Sequence, residues 1–316
     1  MRVQLLGHYY KDNNMGDEAI HRQVKTDLES IDPFVEFVHE LDKPELFICG
    51  GGGMYSDWQP EAFDTWLPPI DAAIRQNIPV VAYGVGIGPL FHEDTTRRLR
   101  RSFRAMDLVM VRDRASYEAL GIDTAIVTGD PAIRYGYRHP VIGLNLVDIK
   151  TITALDTFFL DLIQLILSHA DLKFFCLWPP HKNLYKRLMT HLNIDIPIIE
   201  AWDPDVFKRE VCEVDLWMGM QYHGIIFANM NHKDCIALSY HHKCTQYANT
   251  MDLPQTLISD GQNLIPYSLK SSIEDVKNIL EERFEAQSKM YQASDLNRKL
   301  LLKFVNNMRE RCHRQV

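Results

Sequence analysis

The residues with the clearest potential for chemistry lie between Trp217 and Lys243. His223 precedes an apolar run at 225–230 that predicts a short buried helix, which places this His at or near the first helical turn. The free N–H groups and the dipole of a first turn form an anion site, and a neutral imidazole beside an anion can accept or deliver a proton. Taken alone, this stretch favours a capping or core His, and the rest of the chain carries the argument for catalysis.

A second candidate is Arg112, which directly follows the strand-like run 108–111. Asp113 is suited to cap the helix that comes next, so Arg112 is left at the exit of the strand. A guanidinium fork suits carboxylate or phosphate, which makes Arg112 a candidate anion clamp. A surface salt bridge explains the same residue equally well when it is judged singly.

Glycine-containing turns follow several strand-like runs of the first half, at residues 7–20, 50–53, 83–90 and 128–132. Asn14 and Asp17 stand where the first turn enters a helix, and a plain N-terminal cap explains them by itself. Four consecutive glycines at 50–53 cost backbone entropy, which indicates close approach of the backbone to a ligand or to another chain segment. The sequence lacks both a P-loop and a GxGxxG followed by an acidic ribose ligand, so an ATP or NAD site is not indicated.

These turns are positioned by an alternation of short apolar runs with helical patterns. The strand-like runs are residues 3–6, 35–39, 46–49, 80–83, 108–111, 125–127, 141–146, 174–177, 197–199 and 235–238. The helical patterns are residues 15–29, 63–76, 94–106, 114–120, 155–168 and 184–192. Such alternation predicts βαβ units, and hence an α/β protein with parallel sheets buried on both faces. Ligands of such sheets bind beyond the carboxyl ends of the strands, where these turns lie.

A break at 135–140 divides the alternation into two halves. We expect a Rossmann-like domain at residues 1–138, a second one at 139–270, and a ligand-binding cleft between them. The segment 271–316 is predicted to be a long charged helix, because Ser271 and Glu274 have the spacing of a capping box at its start.

Composition restricts the function classes. The chain has 316 residues and a formal net charge of −8, which disfavours broad nucleic-acid binding. No apolar run reaches the ~20 residues of a membrane helix, and we expect the first residues to form a strand rather than a signal peptide. The six cysteines lack CxxC spacing, which favours reduced core residues over disulfides or zinc. We therefore expect a cytoplasmic protein without a metal. The adjacent residues His241 and His242 could together suggest a metal site. Because neighbours on a strand point to opposite faces, no metal is assigned to them.

Together these segments resemble the polysaccharide pyruvyltransferase family. The matching parts are residues 14–19, 50–53 with Asp57, 83–90, 111–113 with Ser116, 129–132, His223 with Phe227 and Ala228, Ser239 with Tyr240, and Lys243. The resemblance covers roughly residues 5–245, and the order and spacing of these parts make it specific. It implies a GT-B-like fold. It also implies transfer of a pyruvyl group from phosphoenolpyruvate onto sugar hydroxyls, often as a cyclic ketal, in cell-surface polysaccharides or their precursors.

The resemblance also implies roles for individual residues. His223 is the expected acid/base catalyst. The expected donor-binding residues are Arg112, Gln221, Tyr222, Lys243, Gly51 and Gly52, and the expected acceptor residues in the cleft are Asn14, Asp17, Asp57 and His181. The expected partners are phosphoenolpyruvate and a sugar or lipid-linked oligosaccharide, with no cofactor. An ordinary loop His remains the simpler interpretation of His181. Three aromatic residues near the glycine run could stack on a sugar or pack the domain surface, namely Tyr55, Trp58 and Trp66.

Departures from the family leave alternatives open. Gln221 stands where the family usually has Arg, and the family usually carries an acidic residue near His241. A hydrogen bond to a charged group is worth roughly 1.5–3 kcal/mol, so loss of the Arg could weaken donor binding about tenfold or more. The side chains that could compensate are Arg112, Lys243, His181 and Arg134. The alternative functions are a glycosyltransferase of the same architecture with a nucleotide-sugar donor, and a non-catalytic sugar-binding or scaffold protein.

Overall fold

The computed structural model describes residues 1–7, 14–38, 43–57, 62–149, 153–258 and 266–313. The chain divides into two compact units, Met1–Tyr137 together with Gln287–Val316, and Arg138–Ala286. Each unit contains one parallel sheet with helices packed against it. The predicted α/β class with two parallel sheets is therefore confirmed.

The sheet of the first unit has six parallel strands among the described residues, in the order β2-β1-β3-β4-β5-β6. They are β1 (Arg2–Leu6), β2 (Glu36–Phe37), β3 (Leu46–Gly50), β4 (Val80–Val85), β5 (Leu108–Val111) and β6 (Ile126–Val127). The central strands β3 and β4 are buried along their whole length, which is why they are continuous apolar runs and do not alternate. The strand predicted at 35–39 reaches His39, which lies outside the described residues.

The helices of this unit alternate with the strands. They are α1 (Met15–Ile31), α2 (Ala62–Arg75), α3 (Glu93–Arg104), α4 (Arg114–Leu120) and α5 (Pro131–Gly136). Two predicted caps are confirmed. The side chain of Asn14 accepts a hydrogen bond from the N–H of Gly16 at 2.9 Å, and the side chain of Asp113 accepts one from Ser116 at 2.7 Å. Helix α5 was not predicted, because six residues are too few to show a helical period.

The sheet of the second unit has six parallel strands within the described part of the chain, in the order β12-β11-β10-β7-β8-β9. They are β7 (Val141–Asn145), β8 (Asp171–Cys176), β9 (Ile198–Glu200), β10 (Leu216–Gly219), β11 (Asp234–Ser239) and β12 (Gln255–Leu257). Its helices are α6 (Thr153–Leu167), a 3-10 helix (Pro179–His181), α7 (Lys182–Leu192), α8 (Pro204–Val211), α9 (Tyr222–Met230) and α10 (His242–Thr250). The long helix α11 (Pro266–His313) follows.

Apolar side chains of α6 and α7 cover one face of this sheet. Phe159 and Leu162 of α6 and Leu184 and Leu188 of α7 are buried in one cluster with Leu144 of β7. Each such side chain contributes about 1.5–3 kcal/mol when fully buried. This burial stabilises the sheet that carries the loops at its carboxyl edge.

Two sequence-based boundaries were wrong. The residues from Leu216 to Gly219 form strand β10, which was not among the predicted strand-like runs. Helix α11 begins at Pro266, so Ser271 and Glu274 lie inside the helix and not at its start. Both errors have the same cause. Pairing in a sheet and packing along a helix override the pattern and cap signals of the local sequence. None of the described helices has the length and apolar composition needed to cross a membrane.

The C-terminal part of α11 is bound to the first unit through the turn that follows β6. Asn297 Nδ2 donates to the carbonyl of Gly129 at 2.6 Å, and Thr128 Oγ1 donates to Asn297 Oδ1 at 2.6 Å. A Cβ at Gly129 would lie 2.5 Å from the backbone nitrogen of Ser294. Glycine is therefore required at position 129 because the helix backbone approaches so closely.

Candidate functional site

The carboxyl edge of the second sheet carries a helix start that no side chain caps. Strand β10 ends at Gly219 and α9 begins at Tyr222, so His223 lies in the first helical turn, as predicted. Gln221 occupies the N-cap position but makes no side-chain hydrogen bond to the helix. The first N–H groups of a helix have no partner inside it. They are therefore available here to bind an anion, together with the positive end of the dipole.

The side chain of Gln221 is engaged by Asn145, the last residue of the neighbouring strand β7. Asn145 Nδ2 donates to Gln221 Oε1 at 2.8 Å and to the carbonyl of Phe175 at 3.0 Å. Asn145 Oδ1 accepts from the backbone N–H of Gln221 at 3.0 Å. Because the Phe175 carbonyl can only accept and the Gln221 N–H can only donate, the orientations of both amides are determined. The Nε2 group of Gln221 is thus the end left for a ligand.

A cavity of about 210 Å³ lies at this edge of the sheet. The residues that line it come from the carboxyl ends of β8 to β11 and from the helices that follow them. They are Leu177, Ala201, Trp202, Pro204, Phe207, Gln221, Tyr222, His223, Phe227, Tyr240 and Lys243. Four of the sequence-predicted residues are therefore brought together in one cavity, namely Gln221, Tyr222, His223 and Lys243.

His223 is exposed on the first turn of α9. Its ring stacks with Phe227 at a centroid distance of 6.3 Å and meets Tyr222 edge-on at 5.4 Å. These two ring contacts orient the imidazole. Its nitrogens have no hydrogen-bond partner among the described residues. A ligand in the cavity can therefore reach an imidazole nitrogen for proton transfer.

Lys243 supplies the positive charge of the cavity lining. Its ammonium group lies 5.6 Å from the centroid of the Tyr222 ring, within the range of a cation–π contact. Tyr222 in turn packs edge-on against Tyr247 of α10, at 6.0 Å. The tyrosine thus places the Lys243 side chain beside the helix start that carries His223.

The two adjacent histidines near Lys243 do not lie on a strand. Strand β11 ends at Ser239, and His241 is the N-cap of α10, with its side chain accepting from the N–H of Lys243 at 3.4 Å. The rings of His241 and His242 lie 4.2 Å apart, so the expectation that they point to opposite faces was wrong. Within the described part of the chain, no three His, Cys, Asp or Glu side chains are grouped closely enough to hold a metal ion.

Arg112 leaves β5 at its carboxyl end, as predicted, and is held by carboxylates of the first unit. Its Nε donates to Asp113 Oδ2 at 2.9 Å, and its Nη1 lies 3.8 Å from Asp130 Oδ2. Burial raises the pKa of Asp113, but hydrogen bonds from Ser116 and Arg112 outweigh this and leave the pKa below its usual range. Part of the charge of Arg112 is therefore balanced within the protein.

Arg134 is more fully engaged and is not a free cation. Its Nη1 lies 2.5 Å from Asp27 Oδ1, in a buried group that also contains the Tyr83 hydroxyl, which donates to Asp27 Oδ2 at 2.6 Å. Asp295 of α11 lies 3.6 Å from Arg134 Nε. The proposal that Arg134 compensates for Gln221 is therefore not supported, because this guanidinium already neutralises buried carboxylates of its own unit.

The glycine run packs against the start of α1. Gly51 and Gly52 are buried, and Gly52 has a φ of +86°. A Cβ at Gly52 would lie 2.7 Å from Asp17 Oδ1, and one at Gly51 would lie 3.1 Å from Ile20 Cγ2. The close approach predicted for these glycines is thus made to another chain segment. Asn14 and Asp17 lie at the same helix start, with Asn14 as its cap.

Asp57, an expected acceptor residue, is 1% exposed and organises the turn before α3. Its two oxygens accept from the N–H groups of Phe91 and His92, both at 2.7 Å, and from the hydroxyl of Thr95 at 2.8 Å. Burial alone raises the pKa of Asp57, but these hydrogen bonds outweigh it and lower the pKa below its usual range. The carboxylate is thus committed to the fold and has little surface to offer a sugar.

His181 ends the 3-10 helix and is buried against Trp178, with ring centroids 5.0 Å apart. Burial lowers its pKa, although nearby Asp148 opposes this. Its Nδ1 has no hydrogen-bond partner among the described residues, and the side chain does not line the cavity described above. Tyr55 is also fully buried and packs edge-on against Phe103 at 5.0 Å, so its suggested stacking on a sugar was wrong. Trp58 lies outside the described residues.

The sequence analysis assigned no role to Trp202 and Phe227, which line the cavity, or to Asn145, which holds Gln221. A signal for Asn145 was present, because an amide inside an apolar strand must find hydrogen-bond partners when it is buried. A signal for Trp202 was also present, since Asp203 and Pro204 after it mark a helix start at the end of a strand. Phe227 was noticed only as a match to the family pattern.

Comparison with known proteins identifies one family. The family model described as polysaccharide pyruvyl transferase matches residues 14–242. No curated protein matches the chain significantly.

Several solved structures are similar at low identity. A UDP-GlcNAc 2-epimerase of Neisseria meningitidis is 13% identical, covers 93% of this chain and 84% of its own, and has a TM-score of 0.35. One from Methanocaldococcus jannaschii is 13% identical, with 95% and 99% covered and a TM-score of 0.34. A family 9 glycosyl transferase of Veillonella parvula is 10% identical, with 89% and 97% covered and a TM-score of 0.33. These low scores carry no inference about ligands or activity.

Proposed function

Because the chain belongs to the polysaccharide pyruvyl transferase family, we propose that it transfers the pyruvyl group of phosphoenolpyruvate to sugar hydroxyls of a cell-surface polysaccharide or its precursor. One observation carries the proposal beyond the family match. A single cavity is lined by His223, by the ammonium-bearing Lys243 and by Gln221 at the uncapped start of α9. These groups supply an acid/base and anion-binding donors in the same place.

The donor's phosphate and carboxylate need several hydrogen-bond donors. In this proposal the N–H groups at the start of α9 bind one anionic group with the help of the helix dipole. Lys243 adds a mobile positive charge, and Gln221 adds its Nε2 group, whose orientation is determined by Asn145. The cation of Lys243 thereby takes over part of the role that Arg has elsewhere in the family.

The reaction requires two proton movements. A sugar hydroxyl oxygen bonds to the central carbon of phosphoenolpyruvate, the methylene carbon takes up a proton to become a methyl group, and the C–O bond to phosphate breaks. When a second hydroxyl of the same sugar completes the ketal, its proton accompanies the departing phosphate. We assign to His223 the removal of the hydroxyl proton and its delivery to the methylene carbon. No further cofactor enters these steps.

The cavity has room for a small donor. Its volume is about 210 Å³. Phosphoenolpyruvate is a three-carbon compound, whereas a nucleotide sugar has a base, a ribose, two phosphates and a hexose. The same donor is a cytoplasmic metabolite, and we accordingly place the reaction in the cytoplasm.

A binding experiment tests the donor. Thermal shift and calorimetry are run with phosphoenolpyruvate and, separately, with a panel of nucleotide sugars. We expect phosphoenolpyruvate to bind, and at ~100 times its dissociation constant to add about 2.7 kcal/mol to the free energy of unfolding. Phosphate release on addition of an acceptor sugar then demonstrates turnover. Binding of uridine or guanosine diphosphate sugars without phosphoenolpyruvate would instead support a glycosyltransferase, and binding of neither would support a non-catalytic protein.

A further inference from the structure

Two large aromatic side chains are exposed in the cavity that His223 lines. Trp202 follows β9 and is 47% exposed, and Phe227 lies on α9 and is 41% exposed. Both rings line the cavity. Burying such rings would stabilise the fold, so apolar rings left in contact with water beside a few polar groups are typical of a ligand-binding surface.

Phe227 is held in a defined position beside His223. Its ring packs against Phe207 at a centroid distance of 6.1 Å, and Phe207 is itself buried against Trp217 at 5.1 Å. The Phe227 ring also stacks with the imidazole of His223, with an interplanar angle of 29°. The two residues are four apart on α9 and share one face of the helix. A ligand that contacts Phe227 is therefore next to the imidazole.

Trp202 lies in the short connection between β9 and α8. Ala201 before it is buried, and Asp203 after it caps α8 by accepting a hydrogen bond from the N–H of Asp205 at 2.8 Å. The residues on both sides of the indole are thus held, one by burial and the other as a helix cap. Its ring lines the cavity, and anchoring of the neighbouring residues lowers the entropy lost on binding.

Phosphoenolpyruvate does not account for these rings. Its two anionic groups are served by Lys243 and the start of α9, and the face of an aromatic ring carries negative charge that disfavours an anion. A pyranose ring, in contrast, has one face made of C–H groups with small positive charge, and this face packs well on an aromatic ring. A nucleobase would also stack on these rings, so uridine monophosphate is included in the test.

We propose that Trp202 and Phe227 form the acceptor subsite of the enzyme, where the apolar face of a pyranose ring stacks and its hydroxyls are presented to His223. This inference rests on the proposed function for the identity of the reaction, but stacking of the sugar can be measured without it. Trp202 and Phe227 are binding residues in this assignment, and proton transfer stays with His223.

The test compares Trp202→Ala and Trp202→Phe with Trp178→Ala. Trp178 is a matched control, because it is 56% exposed at the end of the neighbouring strand β8 and does not line the cavity. Saturation-transfer NMR and calorimetry measure binding of the methyl glycosides of glucose, galactose, mannose and N-acetylglucosamine to each protein. Titrations with phosphoenolpyruvate and uridine monophosphate run in parallel, and the melting temperature of each variant is recorded.

We expect Trp202→Ala to weaken binding of the preferred glycoside about tenfold and to leave phosphoenolpyruvate affinity unchanged. Trp202→Phe should restore most of the affinity because it keeps an aromatic face, and Trp178→Ala should bind like the wild type. Equal glycoside binding by wild type and Trp202→Ala would overturn the assignment, as would a lack of saturable glycoside binding to the wild type. A Trp202-dependent response to uridine monophosphate alone would overturn it in favour of a nucleotide.

If the proposed pyruvyl donor is wrong, the experiment gives a different result. If the wild type binds glycosides through Trp202 but does not bind phosphoenolpyruvate, the sugar subsite stands and the pyruvyl donor is wrong. If Trp202→Ala weakens phosphoenolpyruvate as much as the glycosides, the rings belong to the donor site and the acceptor assignment is overturned.

Discussion

Asn145 Nδ2 lies 2.8 Å from Gln221 Oε1, and this hydrogen bond determines which end of the Gln221 amide is left free beside the cavity. Asn145 is fully buried at the end of β7, so its side chain is a fixed partner. Gln221 therefore presents N–H donors at the position where the family usually has Arg. The chain keeps hydrogen-bond donors at this position but loses the charge, and Lys243 is the cation that lines the same cavity.

Gln221→Glu tests this orientation. Glutamate keeps the oxygen that accepts from Asn145 and replaces the outward NH2 group by a carboxylate oxygen. We expect phosphoenolpyruvate affinity to fall tenfold or more, because a hydrogen bond to an anion worth roughly 1.5–3 kcal/mol is replaced by repulsion. Calorimetry measures the change. Unaltered affinity would show that the amide does not face the donor.

Gln221→Arg is the converse change. The added charge should tighten phosphoenolpyruvate binding about tenfold and leave nucleotide-sugar binding unchanged. A fall in affinity would show that Lys243 already occupies the space and is repelled by the new guanidinium. A lack of any calorimetric response to phosphoenolpyruvate in both the native and the Arg protein would remove the pyruvyl-donor hypothesis for this chain.

His223→Ala should reduce turnover by about 10²–10⁴-fold, the usual contribution of a general acid/base, without lowering the melting temperature. The imidazole is exposed and its main contacts are ring contacts, so little packing is lost. Phosphate release and thermal melting are the two measurements. His191→Ala, at an exposed position on α7, serves as the control and should change neither. Near-normal activity with melting lowered by several degrees would instead identify His223 as a structural residue.

Arg112→Ala is expected mainly to raise the apparent Michaelis constant for the donor, because the sequence-based hypothesis makes it an anion clamp. Its ion pairs with Asp113 and Asp130 are partly exposed, so they should contribute only about 0–1 kcal/mol to stability. Arg112→Lys keeps the charge but lacks the guanidinium fork, so it should give an intermediate Michaelis constant for the donor. Steady-state kinetics over a range of donor concentrations decide the matter, and an unchanged donor dependence would remove Arg112 from the site.

Asp57→Asn should destabilise the protein at neutral pH by about 2–3 kcal/mol, because two backbone N–H groups and a hydroxyl lose part of their charged acceptor. The folded pKa of Asp57 lies below its ordinary value, so ionisation favours the folded state. This stabilisation is present above the unfolded pKa of about 4 and is lost as pH falls through the folded pKa.

Urea unfolding at a series of pH values measures this difference. The gap in unfolding free energy between wild type and Asp57→Asn should be largest near neutral pH and should shrink in acid. Asp64→Asn is a suitable control because that carboxylate is exposed and pairs only at the surface with Arg98. A gap that stays constant down to acid pH would contradict the assigned ionisation of Asp57.

Gly129→Ala should destabilise the first unit by about 1–3 kcal/mol, as is usual for overpacking. The new methyl group would lie 2.5 Å from the backbone nitrogen of Ser294, so α11 would have to move and its bonds to Thr128 and Gly129 would weaken. Gly136→Ala is the matched control, since nothing lies within 4 Å of an added Cβ there. Chemical denaturation compares the two, and equal stability of the two variants would show that α11 accommodates the methyl group freely.

The sequence by itself determined the features that depend on neighbouring residues. The apolar runs predicted the parallel sheets, since a strand buried on both faces must be apolar throughout. The caps at Asn14 and Asp113 were predicted correctly, because a cap bonds only to N–H groups two or three residues further on. The same local logic placed His223 in the first turn of its helix.

The tertiary structure alone decided which of these turns are open to a ligand. Asn145 and Gln221 are 76 residues apart in sequence and meet only because β7 and β10 are neighbours in the sheet. Asp57 looked available in the sequence, but a turn 34 residues later surrounds its carboxylate with N–H groups. Strand order and loop packing arise from burial of the whole core. They cannot be inferred from the local periodicity of side chains.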